Sequence, residues 1–139
     1  MDITDFRLGW RWTHESHAAF PPEVLAQLRP LAVEDARALY ESGVDNFPVE
    51  VSNDEITVST ENEGHARTWL EALPVTPDVR VTIVWDRETG ISVPWRIFVQ
   101  CWADFCYPGS DDAFILFPDD HGSVSYEHYE LFRFKEGAI

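Results

Sequence analysis

The chain has 139 residues, enough for one domain with a core of its own. A hydrophobic fraction of 45% and an aromatic fraction of 14% are globular values. No apolar run reaches the roughly 18 residues of a membrane span. Ten basic residues against 25 acidic ones leave a net charge of −15, which excludes nucleic acid and anionic membrane surfaces as direct partners.

At the N-terminus, MDITDFRLGW has no basic region followed by an apolar stretch, so it does not read as a signal peptide, and a cytoplasmic location is expected. FRLGWRW alternates Phe6, Leu8, Trp10 and Trp12 with Arg7, Gly9 and Arg11, the period of a short strand. PPEVLAQLRPL predicts a proline-initiated helical turn, and AVEDARALYESG a helix over 32–42 stopped by Gly43. FPVEVSNDEITVST reads as a hairpin, with Val49 and Val51 before a polar turn and Ile56 and Val58 after it.

A helix is expected over 64–73, closed by Pro74. The clearest strand is VRVTIVWD, with Val79, Val81, Ile83 and Trp85 facing one way. RETG then turns the chain into PWRIFVQCWADFCYPGSDD, residues 94–112. Around a helix at about 100° per residue, Trp95, Phe98, Val99, Trp102 and Phe105 share a wide apolar arc, and only Arg96, Gln100 and Asp104 fill the rest. That is a core helix. AFILFP and SVSYEHYELFRF flank DDHGS as a terminal hairpin. The expected fold is α+β: one domain over 1–139, a mostly antiparallel sheet with helices packed on one face, and a largely buried helix at about 94–106.

The cysteines follow from that helix. Cys101 and Cys106 diverge by about 140° around it, so they cannot bond to each other. Cys106 falls at a helix C-terminus, where the dipole disfavours a thiolate. Both read as inert buried thiols.

Asp111 and Asp112 are expected outside the core, in an acidic turn. With Asp119 and Asp120 in the next loop they form either a solvated surface, a protein-contact patch or a group of oxygen ligands for a divalent cation. His14 and His17, three apart in THESH, are the alternative metal ligands of a small enzyme, with His65, His121 or His128 as further candidates. His128 is placed on one strand face with Tyr126 and Glu130. Glu71, Asp86 and Glu88 make no acid/base pair, and serine elbows, phosphate loops and dinucleotide fingerprints are absent.

The acids are unevenly spread. Seven lie between Arg37 and Arg67 and seven between Arg96 and Arg133, with no base in either stretch. Such stretches suit either a solvated surface or a face for a cationic partner.

Two segments carry a shared pattern: Trp10, Trp12 and His14 near the start, then Trp95, Phe98, Trp102, Phe105, Cys106, Tyr107, Pro108, Asp111, Asp112 and His128. They resemble a family of small bacterial proteins of uncharacterised function. The resemblance implies a bacterial origin and brings no activity with it.

The function expected is a non-enzymatic acidic module that binds a basic protein, in the manner of immunity proteins and nuclease inhibitors. Its contact residues would be Asp111, Asp112, Asp119 and Asp120, with Tyr107 as an anchor, and no cofactor. The alternative is a small metal-dependent enzyme with His/Asp ligands.

Overall fold

The computed structural model describes residues 2–46 and 54–136. Seven antiparallel strands form one sheet: β1 (Arg29–Pro30), β2 (Asp54–Thr57), β3 (Arg80–Asp86), β4 (Thr89–Pro94), β5 (Ala113–Leu116), β6 (Gly122–Glu127) and β7 (Leu131–Glu136). Their order across the sheet is β1-β4-β3-β5-β6-β7-β2. The helices are α1 (Trp10–Thr13), α2 (Pro22–Leu25), α3 (Val33–Asn46), α4 (Glu63–Glu71), α5 (Trp95–Gln100) and α6 (Trp102–Phe105). The architecture is a single-sheet α+β fold, as the sequence predicts. Among the described residues no helix is long and apolar enough to cross a membrane.

Strand register sorts the side chains. Ile83 pairs with Ile91 and Ile115, Ile115 with Val124, and Val124 with Phe134, so one face is a continuous apolar surface. Trp12, Trp95, Phe98, Trp102 and Phe105, from α1, α5 and α6, bury against it. Val84 points the other way and is also fully buried. It pairs with Gly90 and Phe114, and Tyr40 of α3 packs edge-on against Phe114. Helices therefore cover both faces of the central strands and not the one face expected, because Val84 and Phe114 give α3 an apolar patch on the second face.

Several local expectations differ from what forms. The segment 6–13 is not a strand: a 3-10 turn at Ile3–Asp5 leads through Gly9 into α1. Tight turns there bury Phe6, Leu8, Arg11 and Trp12 and leave Trp10 exposed, which is not the alternation of a strand. α3 runs past Gly43 to Asn46, since a glycine weakens a helix without ending it. The expected 49–58 hairpin falls partly on 47–53, outside the described residues, and Ile56 instead lies in β2, paired with β7. After Asp86 the chain forms β4, which returns along β3 before any helix starts. The last strand pair is a three-stranded meander, with His128–Glu130 as the turn between β6 and β7.

The core helix is two helices. Its axis breaks at Cys101, whose φ of −120° and ψ of 27° leave the helical region. The Gln100 carbonyl at the break accepts a hydrogen bond from Arg67 Nη2 at 3.1 Å. Around α6, three tryptophan indole N–H groups donate to backbone carbonyls: Trp12 to Asp104, Trp85 to Phe105 and Trp102 to Glu63. Each buries a large ring while satisfying its single donor.

Candidate binding surface

The loop 107–112 leaves α6 and enters β5, and a buried ion pair holds it down. Arg11 of α1 is only 4% exposed and Asp111 only 7%. Arg11 Nη1 donates to Asp111 Oδ2 at 2.6 Å and Nη2 donates to Oδ1 at 3.0 Å, a two-pronged contact. Asp111 Oδ2 also accepts the Tyr107 backbone N–H at 2.8 Å, and the Asp111 N–H donates back to the Tyr107 carbonyl at 3.1 Å. The Arg11 guanidinium lies 3.9 Å from the Tyr107 ring centroid. Asp111 is thus a core residue and not part of a solvated acidic turn. A carboxylate can enter a core when a guanidinium and a backbone amide replace its water.

This tie presents aromatic rings at the surface. Trp10, next to Arg11, is 44% exposed and meets Tyr107 edge-on with centroids 6.1 Å apart. His17 also meets Trp10 edge-on, with ring centroids 4.7 Å apart. On the far side of the loop, the Gly109 N–H donates to the His128 carbonyl at 2.7 Å. Asp112 Oδ1 accepts the His128 N–H at 3.0 Å and lies 3.0 Å from its Nδ1. Next to His128, Tyr129 is 59% exposed. Trp10 and Tyr129 are the large apolar side chains left exposed among the described residues, and they flank this one loop. Sequence alternation hid Trp10, because it placed that residue with Phe6 and Leu8 on a buried strand face.

The other expected site residues separate. Asp119 is exposed, with a φ of 57°, in the 3-10 turn Pro118–Asp120, which follows β5, whereas Asp112 precedes that strand. Asp120 belongs to the same turn. Among the described side chains, Asp111, Asp112 and Asp119 therefore do not gather into one carboxylate group. Nor does His128 share a strand face with Tyr126 and Glu130, since it lies in the turn. His14 and His17 do approach, with centroids 6.0 Å apart, and His14 Nδ1 lies 2.6 Å from Ser16 Oγ. Among the described residues no three His, Cys, Asp or Glu side chains gather closely enough to hold a metal ion.

Both cysteines are free thiols. Burial, reinforced by Asp111 and only partly offset by Arg11, holds the Cys106 pKa well above its ordinary value. Cys101 is pushed up to about 11, by burial first and Asp104 next. Neither environment favours a nucleophilic thiolate. The Tyr107 hydroxyl is also raised, mainly by burial.

No family model, curated protein or solved structure matches this chain.

Proposed function

We propose that this chain is a non-enzymatic binding module of the immunity or inhibitor type, and that it neutralises a basic protein through the surface around loop 107–112. The observation that carries this reading is the pair of exposed aromatic rings, Trp10 and Tyr129, on either side of a loop anchored by a buried ion pair. Large rings on a rigid support are what dominate binding energy at protein interfaces. Acidic side chains lie beside Tyr129: Asp112 in the loop, and Glu127 and Glu130 at the ends of the β6–β7 turn. Acidic groups around aromatic anchors speed encounter with a cationic partner and set its orientation. Asp112, Tyr107, Trp10 and Tyr129 are the proposed contact residues, and Asp111 serves as the support beneath them.

The experiment is affinity capture from the source cell's lysate with the wild-type chain and with W10A and Y129A variants, washed at low and then high salt. A basic protein retained by the wild type, shed at high salt and lost from either variant supports the reading. Identical retention by all three chains, or an empty capture, overturns it. Truncating an anchor of this kind is expected to weaken the complex about tenfold or more.

A further inference from the structure

At the opposite end of β3 from the aromatic rings, three arginines gather at the β1 edge of the sheet. In a chain with 25 acids and ten bases, a carboxylate partner is the ordinary fate of a basic side chain. Arg29 and Arg80 have no carboxylate within 4 Å among the described residues, and Arg96 reaches only Asp78, at 3.8 Å. Asp78 is itself 94% exposed, so this contact neutralises little.

Register and hydrogen bonds bring the three together. Arg29 in β1 sits opposite Ser92 of β4. Arg80 donates from Nε to Ser92 Oγ at 2.9 Å, and from Nη2 to the carbonyls of Ser92 and Gln27. Arg96 Nη2 donates to the Gln27 side-chain oxygen at 2.9 Å. Gln27 is therefore shared by two guanidinium groups, and Ser92 links Arg80 to the strand that carries Arg29. The Arg80 pKa is lowered, by burial first and then by the positive charges of Arg29 and Arg96. Arg80 thus lies close enough to both Arg29 and Arg96 to feel their charge.

Beside them lies an open groove of about 440 Å³, lined by Ile3, Leu25, Leu28 and Pro30, with Arg29 and Asp2 also in its wall. The Asp2 carboxylate is engaged in capping the first turn through the Thr4 N–H.

We infer that Arg29, Arg80 and Arg96 form a binding site for a phosphate group, carried on a ligand whose apolar body lies along the adjoining groove. A phosphate monoester offers close to two negative charges and three acceptor oxygens. Clustered guanidinium groups match that charge and those acceptors better than they match a single carboxylate. The site is separate from the aromatic surface and does not depend on the function proposed for it.

Inorganic phosphate is the probe, titrated into the intact chain at constant ionic strength while the arginine side-chain N–H resonances are followed by NMR. The expected result is a saturable shift of the Arg29, Arg80 and Arg96 signals, with acetate producing a much weaker one. An R29Q/R96Q double variant, which leaves the structural contacts of Arg80 in place, should weaken phosphate binding about tenfold or more. Absence of a saturable shift, equal shifts with acetate, or unchanged binding in the double variant overturns the site. If the double variant does not fold, R29Q alone decides, because Arg29 is exposed. Phosphate binding should weaken in it, and unchanged binding counts against the inference.

Discussion

The Arg11–Asp111 pair shows how much a single contact can organise. Both side chains are almost wholly buried, so neither is screened by water. Such a pair adds little net stability over an apolar replacement, but breaking it leaves a bare charge in the core. Asp111→Ala would strand the Arg11 guanidinium and release the Tyr107 N–H. Equilibrium urea unfolding should then show a loss of about 3–5 kcal/mol, and an R11M/D111L double variant should recover much of it. A cost no larger than that of Asp119→Ala, at an exposed turn, would show that the pair does not hold the loop. None of this was legible in the local sequence. Arg11 fell on the polar side of an apparent two-residue alternation, and its partner lies 100 residues away. Asp104 is a second residue with a cost. Burial and, secondarily, Glu63 raise its pKa, so the folded state holds its proton more tightly than the unfolded chain does. Its contribution to stability is greatest below the ordinary carboxylate range and declines as pH rises through its raised pKa. Asp104→Asn should therefore gain thermal stability relative to the wild type as pH increases from 3 to 7, and a constant difference across that range would contradict it.

At the scale of elements, what could be read depended on whether burial is one-sided. β3 and α4 were legible because their apolar positions recur at a strand or a helix period. β4 was not, since only Ser92 in it is less than buried, and Pro94 reads equally well as a helix start. The start of the buried 94–106 helix was correctly placed. Its break at Cys101 was not visible, because an apolar arc constrains which residues face the core and does not constrain the backbone carbonyls. α1 owes its existence to close packing rather than to propensity: it is four residues long and its N-cap is Gly9, a residue with ordinary helical angles. What Gly9 supplies is space, since a Cβ there would run into the Ile3 carbonyl oxygen. Gly9→Ala should lower stability by about 1–3 kcal/mol, read as a reduced thermal midpoint. A neutral or stabilising outcome would mean that the 2–9 segment yields without strain.

For the whole molecule, net charge was the property most fully readable in advance, while its arrangement on the surface was not. Many basic side chains have an acidic neighbour, yet Arg37–Glu88, Arg87–Glu41 and Arg96–Asp78 are exposed and as long as 3.8–4.0 Å. Pairs of that kind contribute little, so the net charge of −15 acts mainly as self-repulsion. Salt shortens the reach of that repulsion to about 10 Å at 0.1 M. The thermal midpoint of the isolated chain should therefore rise between 0.01 and 0.5 M sodium chloride. The proposed binding to a basic partner should have the opposite dependence, because the same ions screen the attraction that would bring the two together. A midpoint that rises with salt while partner affinity falls separates the two roles of the acids, one internal and one directed outward. If affinity were to rise along with the midpoint, the contact would be carried by the rings of Trp10 and Tyr129 alone, and the acidic groups beside them would have no part in choosing the partner.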